Sequence, residues 1–325
     1  MKLGIYGYGN IGQGVETALL QNKDIELVGI FTRRDKSKVT SILNNKVFNA
    51  NEINDFKDKI DVLAICGGSA TELPTMTPEL AKNFNVIDTF DTHANALTHF
   101  NNVDKAAKEG NHTAIISCGW DPGMFSLNRL YANAILPQGI DYTFWGRGVS
   151  QGHSEAIRHI KGVVNAIQYT VPVEKNVERI KAGETPELTV RDKHIRECYV
   201  VVEPDADKTK IENEIKTMPH YFDEYDTIVN FITLDELKEK HSGMPHGGFV
   251  IRTGKTGKDN EHKHTISYNL KLDSNPEFTA QVVVAFARAL KKEYDRGVRG
   301  CLTVFDIRPR DLSPLPYEEL IKHTL

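Results

Sequence analysis

The most restrictive feature of this chain stands at its start: the apolar run Lys2 to Tyr6 leads into Gly7-Tyr8-Gly9-Asn10-Ile11-Gly12, and a helical pattern of apolar residues (Ile11, Val15, Ala18, Leu19) begins at once. A GxGxxG string alone says little, because glycines are common. Between a strand and a helix it specifies the first turn of a dinucleotide-binding βαβ unit. Gly7 permits the tight turn, Gly9 lets a pyrophosphate approach the backbone, and Gly12 lets the helix lie close on the strand. The helix start then offers N–H groups to the phosphates.

The end of the second strand refines the cofactor. An acidic residue normally sits there to bind the ribose 2′-hydroxyl, but this chain reads Phe31-Thr32-Arg33-Arg34, followed by Asp35. Two guanidinium groups and a hydroxyl suit a 2′-phosphate, which a carboxylate would repel. NADP is therefore expected, with Thr32, Arg33 and Arg34 at the 2′-phosphate. Cys66, Gly67, Gly68, Ser69, Ala70 and Thr71 follow the third strand and Thr89, Phe90 and Asp91 the fourth. Both loops are expected against the cofactor, because ligands gather at the carboxyl ends of such strands.

The first 120 residues keep the alternation of a parallel α/β sheet. Strands are predicted at Lys2 to Tyr6, Ile25 to Phe31, Asp61 to Cys66, Asn85 to Asp88 and Thr113 to Ser117, with helices at Ile11 to Asn22, Thr77 to Asn83 and Asn95 to Glu109. From about Gly139 to Asp273 the strands lengthen and alternate, as in Val163 to Val173, Arg196 to Glu203, Thr227 to Thr233 and Thr265 to Lys271, which reads as a mixed or antiparallel sheet with a few helices. A helix from Asn275-Pro276 to about Lys292 and the apolar run Cys301 to Ile307 are expected to pack back on the first domain. The predicted class is α/β: a Rossmann-type dinucleotide-binding domain, residues 1–123 completed by 276–325, plus a mixed α+β substrate-binding domain, residues 124–275, with the ligand in the cleft between the two.

Composition excludes several classes. At 325 residues, the chain exceeds what one core usually serves. Its net charge of -4 gives no general attraction to nucleic acid or anionic membranes. The longest apolar runs, such as Val282 to Ala287, are far short of a membrane span, and no signal-peptide pattern precedes the first strand, so a cytoplasmic protein with no membrane or nucleic-acid partner is expected. Cys66, Cys118, Cys198 and Cys301 lie far apart with no CxxC pair. Neither a zinc site nor a redox dithiol is indicated, and no metal is expected; His262 and His264 lack a third ligand.

Two acidic positions fall where a nicotinamide would lie. Asp91 follows the fourth strand, and Trp120-Asp121-Pro122-Gly123 follows the fifth. Carboxylates there can hold a substrate ammonium and take its proton before hydride leaves the α-carbon, although either can equally cap a turn. Thr170, Arg196 and His246 are candidate carboxylate ligands, with Met244 to Gly248 expected as a loop whose glycines admit a ligand. Gly148-Val149-Ser150-Gln151-Gly152 matches the GxSxG string of serine hydrolases and His153 follows it, but the parallel sheet that a nucleophile elbow needs is already used by the dinucleotide fold.

The strings GYGNIG, FTRR, GSAT, DTFD, CGWDPGMFS, TFWGRGVSQGHS, TMPHYF, GMPHGG and LKLDSNPEFTA, in this order, resemble the bacterial meso-diaminopimelate dehydrogenase family over nearly the whole chain. The resemblance implies NADP-dependent, reversible oxidative deamination of the D-centre of meso-2,6-diaminopimelate to L-2-amino-6-oxopimelate, ammonia and NADPH, in lysine and diaminopimelate biosynthesis, by a homodimer. It also makes the substrate-binding domain, residues 124–275, the dimerisation domain. It implies that Asp91, Asp121, Trp145, Gln151 and Gly152, with Trp120 alongside, surround the reacting centre. Thr170, Arg196, His246 and Asn275 would hold the distal L-centre. Asp121 is the candidate for the proton, with Asp91 or His153 as alternatives.

Overall fold

The computed structural model describes all 325 residues, in two compact units. One unit comprises Met1–Leu127 and Pro276–Leu325, the other Asn128–Asn275.

The first unit holds a parallel seven-stranded sheet. Its strands are β1 (Lys2–Tyr6), β2 (Glu26–Thr32), β3 (Val47–Asn49), β4 (Val62–Ile65), β5 (Val86–Asp88), β6 (Thr113–Ile115) and, outside β6, Gly300–Leu302. From that last strand the order runs inward through β6, β5 and β4 to β1, then β2 and β3. Strands such as Val62-Leu63-Ala64-Ile65 are apolar at every position because both faces are covered. Leu3, Ile5, Val62 and Ala64 join one core with Val15 of α1 (Asn10–Ala18) and Val283 of the helix Asn275–Asp295. Leu63, Ile65 and Val86 join another with Leu73 and Met76 of α2 (Leu73–Ala81) and Val103 of α3 (Ala96–Gly110). The chain leaves β1 and β4 toward opposite faces, which opens the crevice where doubly wound sheets bind ligands.

Helix α2 starts at Leu73 rather than the predicted Thr77, with Pro74 within its first turn, where a missing N–H costs nothing. Strand β3 was not foreseen, three residues being too short for a periodicity to show. The apolar run from Cys301 packs back on this unit as expected, with Cys301, Val304 and Ile307 in its cores, and Gly300–Leu302 adds the sheet's seventh strand.

The second unit carries two sheets. One has the strands β7 (Ile140–Trp145), β12 and β13, the other β8 to β11, where β8 is Gly148–Val149, β9 Val163–Pro172, β10 His194–Val202, β11 Asp226–Phe231, β12 His246–Thr256 and β13 His262–Leu272. Pairing is antiparallel except for β10 with β11. The segment from His246 is strand and not loop. A Cβ on Gly247 would lie 2.1 Å from the Leu270 carbonyl oxygen, and one on Gly248 2.1 Å from that of Phe144. Those glycines serve close strand pairing rather than ligand approach. Between the sheet strands lie α4 (Met124–Ile135), which starts in the first unit, and α5 (Gln151–Arg158). No helix is long and apolar enough to cross a membrane.

Candidate active site

At the carboxyl end of β1 the three glycines take distinct parts. Gly7 has φ +96°, and a Cβ there would lie 2.8 Å from the Cys66 carbonyl oxygen; one on Gly12 would lie 2.3 Å from the Gly7 oxygen. Gly9 faces open space, with nothing within 4 Å of an added Cβ. No side chain caps the first turn of α1, which leaves its N–H groups directed to a phosphate. A cavity of about 420 Å³ lies there, walled by Gly9, Ile11, Thr32, Arg34, Gly67 and Glu72 among others. Glycine backbone, an uncapped helix start and two guanidinium groups on one cavity fit a dinucleotide with a 2′-phosphate.

The arginines are held in different ways. Arg34 donates to the Tyr8 carbonyl oxygen, and its backbone N–H to Thr32 Oγ1 at 3.1 Å. Arg33 pairs with Glu72, whose other carboxylate oxygen accepts from Gly68 N–H at 2.6 Å. The sequence reading missed Glu72. Asp35, the acidic residue that follows the two arginines, directs its carboxylate to Ser37 N–H and Oγ, at 3.0 and 2.8 Å. Cys66 and Phe90 bury their side chains: burial pushes the Cys66 thiol up to about 12, and Phe90 stacks on His99 at 4.2 Å. Thr71 and Ala70 are exposed, and Ser69 Oγ accepts from Asp91 N–H at 2.8 Å, so the loops after β4 and β5 are joined.

Asp88, one of the acidic residues of the Asp88-Thr89-Phe90-Asp91 string, is structural. Fully buried, it accepts from Thr77 Oγ1 (2.8 Å), Phe90 N–H (3.1 Å) and Ser117 N–H (2.9 Å), and His99 Nε2 lies 2.7 Å away. These bonds fix both the loop carrying Asp91, whose side chain is exposed, and the start of the turn carrying Asp121. That turn closes tightly, with Gly119 N–H to the Pro122 oxygen at 3.0 Å and Phe125 N–H to the Trp120 oxygen at 2.8 Å. Gly123 has φ +126°, and a Cβ there would overlap the Gly119 oxygen. A second cavity of about 470 Å³ is lined by Asp91, Ser117, Pro122 and Ser126, which brings the two acidic loops to one depression of the first unit.

In the second unit the candidates meet through strand register. Gly148 of β8 pairs with Thr170 of β9, and Thr170 with Arg196 of β10. A Cβ on Gly148 would strike the His246 ring at 2.4 Å, so the imidazole occupies the place that this glycine leaves. Arg196 is only 7% exposed, donates to Thr170 Oγ1, and stacks at 3.8 Å on Tyr225, a contact the sequence did not reveal. Its Nε has no partner, and no carboxylate lies within ion-pair distance of its guanidinium. Burial lowers its pKa, yet a guanidinium stays charged. A buried cation without a counter-ion is costly. Its planar fork has the geometry to receive a carboxylate in bidentate fashion.

Trp145 is half exposed; its backbone N–H donates to His194 Nε2 at 2.8 Å and its ring stacks on that imidazole. His194 is therefore neutral, and burial followed by the charge of Arg196 lowers its pKa to about 4. Gln151 and Gly152 form the exposed first turn of α5, with no side-chain cap and open space at Gly152. Asn275 N–H donates to the Met244 oxygen at 2.9 Å.

Ser150 Oγ does lie 2.7 Å from His153 Nδ1, the contact that a serine-hydrolase reading requires. The rest of that machinery is missing. A backbone hydrogen bond with Tyr221, not a carboxylate, accompanies the ring, and Tyr221 and Phe222 pack edge-on against it. Burial, then the Arg196 charge, lowers the pKa of His153 to about 4. Both ring nitrogens of His153 are engaged, one by Ser150 and the other in the backbone hydrogen bond with Tyr221, which sets it apart from the exposed Asp91.

Residues 119–274 match the family described as the diaminopimelic acid dehydrogenase C-terminal domain. The chain is 59% identical to a meso-diaminopimelate D-dehydrogenase of Acetivibrio thermocellus, over all of this chain and 98% of that one. Among solved structures, the Corynebacterium glutamicum diaminopimelate dehydrogenase in complex with diaminopimelate is 43% identical with a TM-score of 0.90, covering all of this chain and 99% of that one. An engineered D-amino acid dehydrogenase bound to NADP+ is 42% identical with a TM-score of 0.86 over the same shares.

Proposed function

The chain belongs to the meso-diaminopimelate dehydrogenase family, and from that premise we infer how its own residues divide the work of oxidising meso-2,6-diaminopimelate. The enzyme converts the D-centre, with NADP and water, to L-2-amino-6-oxopimelate, ammonia and NADPH. The observation that carries the residue assignment is Arg196: a buried cation with no counter-ion, beside a threonine hydroxyl, is what a distal carboxylate requires.

Thr170, Arg196, His246 and Asn275 are assigned to the L-centre. Holding that end fixes which of two chemically similar centres reacts, because the substrate carries the same groups at both ends. Asp91 and Asp121 are assigned to the D-centre ammonium, Trp120 and Trp145 to its walls, and the N–H groups of Gln151 and Gly152 to its carboxylate. Hydride can leave the α-carbon only after the ammonium has lost a proton, since the nitrogen lone pair drives the departure. Asp121 accepts that proton, its place in a closed turn limiting its motion. Bound NADP supplies the hydride acceptor, held by Gly7 to Gly12 and by Arg33 and Arg34 at the 2′-phosphate. Water then adds to the imine, and ammonia departs. We propose, on family membership, that the protein works as a cytoplasmic homodimer on this small molecule; no helix is long and apolar enough to cross a membrane.

The test is NADPH formation at alkaline pH with NADP and meso-diaminopimelate, beside the L,L isomer and beside NAD. Turnover confined to the meso isomer with NADP supports the assignment. Equal turnover of the L,L isomer would overturn the role given to Arg196 and its neighbours.

A further inference from the structure

Glu16 has no part in the reaction, yet it is the most heavily hydrogen-bonded acid of the first unit. It lies fully buried in α1. Its carboxylate accepts from Tyr8 Oη, Ser41 Oγ, Asn45 Nδ2 (2.5 Å) and the backbone N–H groups of Ile42 (3.1 Å) and Leu43 (3.4 Å). Burial pushes its pKa up, but bonds from Ser41, Tyr8 and Asn45 more than offset this and keep it ionised. A buried carboxylate is tolerated only with such partners.

The donors come from two places. Tyr8 belongs to the glycine loop; the others form the far end of the connection from β2 to β3, residues 33–46. The near end of that connection carries Arg33 and Arg34, and Arg34 reaches back to the Tyr8 carbonyl oxygen. The phenol of Tyr8 is thus gripped by Glu16 while its carbonyl receives Arg34. The connection has no regular structure of its own beyond the short turn Lys36–Lys38. Left unpinned, a segment of that length would have to be ordered by the ligand, at a cost in affinity.

We propose that Glu16 is a positioning residue for cofactor choice: through Tyr8 and Ser41 to Asn45 it holds the Arg33–Arg34 segment ready for the 2′-phosphate, and so sets the preference for NADP over NAD. This rests on the assignment of Arg33 and Arg34 to that phosphate. The part of binding that depends on the 2′-phosphate is affected most, since the turn that meets the pyrophosphate is also closed by the packing of Gly7 on Cys66 and of Gly12 on Gly7.

The experiment measures by calorimetry the affinities of the intact protein and its variants for 2′,5′-ADP and for 5′-AMP, probes that differ by the 2′-phosphate alone. Glu16→Gln keeps the shape but removes an acceptor and the charge. Asn45→Ala, at a half-buried position, loosens the same anchor and is available should Glu16→Gln fail to fold. Either variant should weaken 2′,5′-ADP by about tenfold, the loss expected when charged groups lose well-aligned hydrogen bonds, and 5′-AMP by less than about twofold. Equal weakening of both probes, or no change, overturns the proposal. Arg34→Ala run in parallel separates the two layers: if it leaves the ratio of affinities intact, the 2′-phosphate assignment itself fails. If it collapses the ratio while Glu16→Gln and Asn45→Ala do not, only the role of Glu16 fails.

Discussion

The parallel-sheet unit and the antiparallel unit build their ligand groups by different means. In the first, each group follows the carboxyl end of a strand: Gly7 to Gly12 after β1, Arg33 and Arg34 after β2, Gly67 to Thr71 after β4, Asp91 after β5 and Asp121 after β6. Turn geometry places them, and turns are local in sequence. In the second, Gly148, Thr170 and Arg196 are brought side by side by β-ladder register, across separations that no local string records. The first arrangement presents backbone N–H groups and acids carried on turns. The second presents a cation locked between a hydroxyl and an aromatic ring.

This contrast predicts unequal failures. Asp121→Asn should cost the most, about 10²- to 10⁴-fold in kcat/KM, the range for loss of a positioned proton acceptor, while NADP binding, followed by fluorescence titration, stays near the wild-type value. Weakened NADP binding with normal turnover would move Asp121 out of the chemistry and into the cofactor site.

Arg196→Met comes next and separates function from stability in opposite directions. Loss of charge-assisted bonds to a carboxylate should raise KM for diaminopimelate about 10- to 100-fold. Thermal stability should hold or rise, because a buried cation without a counter-ion is replaced by a side chain that fits an apolar setting. A lower Tm with unchanged KM would make Arg196 a structural residue.

Acid should act on the antiparallel unit. His194 and His153 have folded-state pKa values lowered to about 4 from an ordinary value near 6.5. The unfolded chain therefore binds more protons between those limits, so the stability tied to the neutral rings is complete above pH 6.5 and is lost as pH falls toward 4. For the buried His194 the loss is on the order of 3 kcal/mol, smaller for the half-buried His153. Trp145 lies on His194 and reports on it by fluorescence once Trp120→Phe removes the other tryptophan signal. The transition should move to lower pH in His194→Gln; an unmoved transition would place the acid-sensitive group elsewhere.

The same contrast explains what was legible beforehand. The places of the glycine turn, of the Arg33–Arg34 pair and of both acidic loops could be read because each is a contiguous string at a strand end. Strand β3 escaped because three residues carry no period, and Glu72 because its pairing with Arg33 crosses from one loop to another. Tyr225 and His194, which hold Arg196 and Trp145, had no sequence signal at all. The glycines at 247 and 248 were assigned to a ligand when neighbouring strands demand them. Conversely, the pairing of Gly148 with Thr170 gives the GxSxG string a plain reason: its first glycine makes room for His246.

The smallest effect is expected at Ser150. Its hydroxyl meets His153 at hydrogen-bond distance, but the ring has no carboxylate partner, and the strand that leads through Ser150 into α5 is a two-residue antiparallel one, not a strand of a parallel sheet. Ser150→Ala keeps the backbone oxygen that accepts from Ser154 N–H at 3.0 Å and so preserves the start of α5. It removes one buried hydrogen bond, worth about 1 kcal/mol in thermal or urea unfolding. Dehydrogenase activity should stay within about threefold of wild type, since a change of 0.6 kcal/mol or less in the barrier is all that a slight shift of α5 would bring. A loss of a hundredfold or more would mean that the serine and histidine take part in proton transfer, and would carry part of the chemistry from the parallel-sheet unit into the antiparallel one.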